Sequence, residues 1–281
     1  MLVTLQSVLR RAQKRGYAVG AFNVSDLEQV QAVIQAAAAL RAPVIVNTSE
    51  KAIAYAGLEE LAVVVKTMAK KYPVPVVLDL DHGRHRRLAE RCLRVGYTGL
   101  MFDASRGRYG QNIARTQQVV RLARRYGVGV EGELGQVKYP DEFQRSPDLV
   151  LTNPQQAQDF VRQTGVVALA VAIGNLHVLS SRFEHLDFRR LGAIRQRVTV
   201  PLVLHGASGM PAAVIRRAIR LGICKINIDT ELRVAFSRSV RHALRQDHPY
   251  DPRDYLGPGR QAMMGVVKQK IVMFGSHRQA K

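Results

Sequence analysis

The sequence predicts an α/β fold, a TIM (β/α)8 barrel with additional C-terminal helices, in a single domain spanning residues 1–281. Three observations carry this expectation. Short β-branched runs alternate with longer segments of helical period from one end of the chain to the other. About eight such units fit into roughly 250 residues, which is the rhythm of that barrel. No glycine-rich turn follows the first strand, where a doubly wound open sheet usually has one. With 281 residues, 47% of them hydrophobic, the chain has enough apolar surface for a sizeable core.

The elements follow in order. The opening MLVTLQSVLRRAQKRG reads as a short amphipathic helix and lacks the continuous apolar run of a signal peptide. The first strand is expected over Ala18–Val24 and the helix after it over Asp26–Leu40, with Ser25 and Glu28 as a capping box. Val44–Thr48 and Leu58–Lys71 form the second unit, Val76–Asp81 and Arg86–Val95 the third. Gly99–Asp103 with Asn112–Tyr126 makes the fourth. The fifth is Gly129–Leu134 with Pro154–Gln163, where Asn153 caps and Pro154 occupies the first turn. Ala168–Gly174 with Leu186–Gln196, Leu202–His205 with Pro211–Leu221, and the strand Cys224–Ile228 complete the ring. Val234–Leu244 and Tyr255–Phe274 read as helices that close the barrel or pack on a neighbour. Gly96, Gly127, Gly165 and Gly222 stand where helices need a left-handed end.

Lys and Arg number 42 against 22 Asp and Glu, a net charge of +20 that favours anionic partners such as phosphorylated metabolites. The basic residues are spread along helix faces and form no tail. Aromatics are 6% with no Trp, and no nucleic-acid motif is present, so no specific nucleic-acid partner is expected. No apolar run is long enough to span a bilayer, and no membrane partner is expected. Cys92 and Cys224 sit in apolar elements without metal-type spacing. They read as reduced core residues of a cytoplasmic protein.

In such barrels the reactive groups come from the C-terminal strand ends. Those ends read Asp81-His82, Asp103-Ala-Ser105, Glu131-Gly-Glu133, Gly174-Asn-Leu-His177, His205-Gly-Ala-Ser-Gly209 and Asn227-Ile-Asp229-Thr230. Three histidines on one rim with carboxylates beside them favour a metal site over three solvated rings, since three ligands and an open position make a catalytic zinc site. The turn HGASG before a helix offers backbone N–H groups to a phosphate.

Taken together, GAFNVSDLEQVQAVIQAA, DHG, VEGELGQV, ALAVAIGNLH, PLVLHGASG, KINIDTELRVAF and DPRDYLGPGRQAM resemble the class II, metal-dependent fructose-bisphosphate and tagatose-bisphosphate aldolases over essentially the whole length. The resemblance implies reversible retro-aldol cleavage of a ketose 1,6-bisphosphate to dihydroxyacetone phosphate and an aldehyde. It implies Zn2+, or another divalent ion, on His82, His177 and His205, with Glu133 and Asp103 at the metal's alternative position. Asp81 matches the residue that exchanges a proton with the C4 hydroxyl. Gly174, Gly206, Ser208, Asn227, Asp229 and Thr230 match the positions holding dihydroxyacetone phosphate, and Ser49 matches a serine near the aldehyde half of the substrate. Assembly as a homodimer or homotetramer is part of the same expectation.

The chain also departs from the family pattern. Asp79 stands where the family has histidine, and is expected to lie near the metal as an extra carboxylate. Val178 replaces a glycine after His177, and the lysine that usually follows by the phosphate is replaced in a run ending at Arg182. Ala207 and Arg84 replace a glycine and a serine. The loop QVKYPDEFQRSPD lacks the usual glycine pair, leaving Asp141 or, preferably, Glu142 to remove the donor's proton. A different donor or acceptor, or a metal-binding paralogue without turnover, is the alternative reading of these changes.

Overall fold

The computed structural model describes residues 1–138, 140–146, 148–177, 186–246 and 250–280, with the backbone alone at 140, 141 and 143. Eight parallel strands pair in sequence order into a closed barrel: β1 (Val19–Asn23), β2 (Val44–Ser49), β3 (Val76–Gly83), β4 (Gly99–Phe102), β5 (Gly129–Leu134), β6 (Ala168–Val171), β7 (Leu202–Leu204) and β8 (Ile223–Ile228). Closure is made by β8 against β1, with Ala21 opposite Asn227. The sequence expectation of a TIM barrel therefore holds. The helices are α1 (Leu5–Arg15), α2 (Leu27–Ala39), α3 (Glu50–Ala56), α4 (Leu58–Lys71), α5 (Arg86–Arg94), α6 (Tyr109–Arg124), α7 (Pro140–Arg145), α8 (Pro154–Thr164), α9 (Phe188–Arg197), α10 (Ala212–Arg220), α11 (Thr230–Gln246) and α12 (Pro252–Met273).

Strand alternation divides the apolar residues between two places. On β3, Val76, Leu78 and Leu80 join the large cluster beneath the surrounding helices, while Val77 faces the barrel interior. At the N-terminal end of the barrel, Val19, Ile45, Val77 and Val203 meet Leu5, Val8 and Leu9 of α1. The amphipathic first helix is thus the plug of the barrel floor. Fully burying Leu5 and Leu9 contributes roughly 1.5–3 kcal/mol each.

Going up each strand, the inward residues become polar. On β3 the series is Val77, Asp79, Asp81; on β5, Glu131 and Glu133 are buried; on β8, Lys225 and Asn227. An apolar floor below and a charged interior above leave the C-terminal rim as the place for chemistry.

Several details differ from the sequence expectation. Asp26, not Ser25, caps α2, accepting from Gln29 N at 2.8 Å, while Gln29 Oε1 accepts from Ser25 N at 3.0 Å. The Asp26 carboxylate reaches the N–H three residues on, and the reciprocal side-chain acceptor is Gln29 where the sequence suggested Glu28. Strand β6 stops at Val171 and β7 at Leu204, because the chain leaves the ladder to form the site loops. Two short helices, α3 and α7, occupy segments without a long apolar period. Gly96, Gly127, Gly165 and Gly222 all take positive φ, as their positions suggested. Cys92 and Cys224 are buried free thiols.

Candidate active site

His82 sits at the end of β3 with φ 50, a left-handed backbone that a non-glycine residue adopts at a cost of about 1–3 kcal/mol. The β3–β4 register shifts between Leu80 and Gly83, so a bulge turns the imidazole across the barrel mouth. There it meets His177, from the loop after β6, and His205, directly after β7. Ring centroids lie 5.0 Å apart for His82–His177, 4.6 Å for His82–His205 and 5.9 Å for His177–His205. One nitrogen from each ring falls within 4.8 Å of the other two. His82 Nε2 and His205 Nδ1 face each other at 2.8 Å.

Behind His82 stand two carboxylates. Its Nδ1 is 3.1 Å from Asp103 Oδ2 and 3.9 Å from Glu133 Oε2. Burial opposes a charge on His82, but the Asp103 hydrogen bond and the charges of Asp81, Glu133 and Asp103 outweigh it, raising the ring to about 9. Burial, reinforced by repulsion from His82, pushes His177 and His205 well below the ordinary range. Burial and then repulsion from Asp103 lift Glu133 to about 8. Asp103 is lowered despite burial by His82 and by Ser105, whose N–H and hydroxyl reach Oδ1 at 3.0 and 2.7 Å.

The donor set fits a divalent cation. Among the described residues, the buried Glu133 Oε2 has no hydrogen-bond partner, and it lies 4.0 Å from His205 Nδ1 as well as 3.9 Å from His82 Nδ1. Three imidazoles and such a carboxylate suit a borderline metal of the Zn2+ type. His82, Asp103 and Glu133 form a second group able to ligate.

Asp81 projects beside this cluster, only 6% exposed. Asn23 Nδ2 donates to its Oδ2 at 2.8 Å and Asn227 Nδ2 to its Oδ1 at 3.0 Å. Burial opposes ionisation, but His82, His205 and Lys225 overcome it, so the carboxyl is held below its ordinary value. An ionised acceptor clamped by two amides can take up a proton from a hydroxyl within hydrogen-bond reach.

A cavity of about 790 Å³ opens above these groups. Of the residues singled out in the sequence, Ser49, Asp81, His82, Glu142, His177, Gly206, Ser208, Asn227, Asp229 and Thr230 line it. Asp103 and Glu133 line a smaller adjoining one that shares His82, His177 and Glu142. Gly174 is not on either wall. With φ 103 it turns the chain towards His177. The neighbouring Asn175 ties that loop to β7 by donating to His205 O at 3.0 Å.

Asp79 corrects the sequence expectation. It belongs to neither group able to ligate, being held one layer down by Lys225 Nζ at 3.1 Å. Val178 to Arg182 and the Asp141 side chain lie outside the described residues. The sequence reading gave no role to Asn23, Ser105, Arg106, Glu131 or Lys225. A lysine inside the apolar run of β8 was the one available signal. Arg106 pairs with Glu142 across the cavity mouth.

Gly206 has φ 63, and a Cβ there would lie 2.1 Å from Leu176 O. Replacing it by alanine is therefore expected to push the β6 and β7 loops apart. Substrate KM should rise at least tenfold and Tm should fall, as checked by steady-state kinetics and thermal unfolding.

A family model for class II fructose-bisphosphate aldolases matches residues 3–279. The X-ray structure of the YdjI aldolase from Escherichia coli K12 superposes with a TM-score of 0.90 at 36% identity, covering 100% of both chains. A fructose-1,6-bisphosphate aldolase candidate from Coccidioides immitis gives a TM-score of 0.90 at 27% identity over 98% of this chain and 97% of its own. Fructose-bisphosphate aldolase from Campylobacter jejuni, at 22% identity and a TM-score of 0.83 over 99% and 96%, shares the fold.

Proposed function

The chain belongs to the class II fructose-bisphosphate aldolase family, and from that premise we propose that it is a zinc-dependent lyase cleaving a ketose 1,6-bisphosphate of the fructose or tagatose type, reversibly, to dihydroxyacetone phosphate and an aldehyde. The observation that supports this reading is the pairing of a clamped Asp81 carboxylate with three converging imidazoles, two of which, His82 and His177, line the same cavity as Asp81.

His82, His177 and His205 would hold the cation, with Glu133 and Asp103 as the carboxylates of an alternative position. When bound, such a cation supplies Lewis acidity to the ketose carbonyl. The chain's own residues do the rest. In cleavage, Asp81 takes the C4 hydroxyl proton while the C3–C4 bond breaks and its electron pair stays with the donor half. In the reverse direction Asp81 returns that proton to the new hydroxyl. Glu142, on α7 at the cavity mouth, moves the proton at donor C3. The turn after β7 offers the Gly206 backbone and the Ser208 hydroxyl to dihydroxyacetone phosphate. Asn227, Asp229 and Thr230 flank it at the end of β8, and Gly174 shapes the opposite loop. Ser49 faces the aldehyde half.

The same reading has the protein working as a cytoplasmic homodimer or homotetramer. Among the described residues no helix is long and apolar enough to cross a membrane.

The test is metal content measured alongside cleavage of fructose and tagatose 1,6-bisphosphates. Chelator is expected to abolish cleavage and Zn2+ to restore it. Bound metal without cleavage of either sugar would favour a different donor or acceptor, and after that a paralogue without turnover. Protein that binds no offered Zn2+ would sink the metal assignment.

A further inference from the structure

One layer below the three histidines the barrel interior carries charge where such barrels usually carry Val, Ile or Leu. Asp79 of β3, Glu131 of β5 and Lys225 of β8 are each 0% exposed. Lys225 Nζ lies 3.1 Å from Asp79 Oδ2 and 2.7 Å from Glu131 Oε2. Glu131's other oxygen, Oε1, lies 3.0 Å from His205 Nε2. The barrel is built to admit this set. A Cβ on Gly99 would come within 2.6 Å of Asp79 Oδ1, so the missing side chain on β4 makes the room.

Buried ions destabilise a fold unless they are paired, and a well-packed apolar layer would serve stability as well or better. The layer therefore calls for a reason beyond holding the barrel together. The reason lies in His205. Both Glu131 oxygens are engaged, one by an ammonium that can only donate. Lys225 Nζ, 2.7 Å from Oε2, leaves Oε1 as the oxygen set against His205 Nε2 at 3.0 Å, and an acceptor there keeps the proton of the neutral ring on Nε2. Nδ1 is then the lone-pair nitrogen, and Nδ1 is the atom facing His82 Nε2 at 2.8 Å. Asp79 Oδ2 gives Lys225 Nζ a second acceptor at 3.1 Å, which holds the ammonium in place against Glu131.

We infer that Asp79, Lys225 and Glu131 form a buried charge relay that fixes the His205 tautomer with Nδ1 free for metal, so that the three act as positioning residues for the divalent cation. The inference rests on the proposed three-histidine site and extends it to residues that touch neither substrate nor metal. Asp79 replaces the histidine usual in the family, so the relay gives a physical role to one of this chain's departures.

The test has two readouts that do not involve cleavage. Long-range 1H–15N spectra of the zinc-free protein report the tautomer of each imidazole. Competition with a chromophoric chelator reports the Zn2+ dissociation constant. The parent should show His205 protonated on Nε2. Glu131→Gln and Lys225→Met should show mixed or Nδ1-protonated His205 and Zn2+ binding weakened about tenfold to a hundredfold. Asp79→Asn, nearly isosteric, should shift affinity in the same direction by a smaller factor. It keeps the proposal testable if the lysine variant does not fold. An Nδ1-protonated ring in the parent, or unchanged tautomer and affinity in Glu131→Gln, would overturn the relay. A parent with the expected tautomer and zinc affinity that cleaves no ketose bisphosphate would overturn the proposed reaction and leave the relay standing.

Discussion

Replacing His205 by alanine is expected to remove bound metal and cleavage together. His205 is fully buried, faces His82 through Nδ1 and receives Glu131 behind Nε2. Its loss takes away one of three nitrogen donors and leaves a two-histidine site, which should not retain Zn2+ against buffer and chelator. Without Lewis-acid stabilisation of several kcal/mol, the rate should fall by about 10^3-fold or more. The fold pays a smaller penalty: Glu131 Oε1 loses its partner inside the barrel, costing about 1–3 kcal/mol. Metal analysis, kinetics and thermal unfolding on the same sample separate these effects. Retained stoichiometric Zn2+ in His205→Ala would remove His205 from the ligand set.

The parts of this site that the sequence made legible share one property: each is a local departure at the end of an apolar run. Asp81-His82, His177 and His205 stand where a β-branched segment meets a glycine or a loop, and closed parallel barrels send such positions to one rim. What stayed hidden is what barrel closure brings together. Lys225 and Asp79 are 146 residues apart, as are Asn227 and Asp81. No periodicity within either strand announces the pairing. The expectation that Asp79 would join the metal failed for a related reason. Alternation correctly placed it on the same face as Asp81, but two residues down a strand amounts to about 6.6 Å, a whole layer of the barrel.

Local rules missed smaller features where a neighbour competed. Ser25 and Asp26 are both good caps, and Asp26 won because Gln29 N lies in its reach at 2.8 Å. Helices α3 and α7 are too short to show a period. The role of α3 is positional: Ser49 caps it, its Oγ accepting from Ala52 N at 3.2 Å on the cavity wall. Its Glu50 accepts the Arg84 N–H at 2.8 Å, pinning the turn after His82.

Asp81→Asn should give the complementary result: full metal content with cleavage lost by about 10^2 to 10^4-fold. The substitution keeps size and removes the acceptor to which we assign the C4 proton. Its structural cost hinges on two amides. Asn23 and Asn227 each donate an NH2 to Asp81, so a new amide at 81 would set one NH2 against another. Asn227 can resolve this, because its Oδ1 is buried with no hydrogen-bond partner among the described residues. Turning that amide over brings the oxygen to the new NH2 and restores the contact. Asn23 can keep its orientation, held by Asn47 Nδ2 on its Oδ1 at 3.4 Å. The stability change should therefore be small, and a lost rate can be assigned to chemistry. With these outcomes, the histidine and aspartate variants would divide the site into a part that holds the cation and a part that moves the proton. Cleavage by Asp81→Asn at the parent rate would move the proton transfer to another group, with Glu142 at the cavity mouth the next to replace.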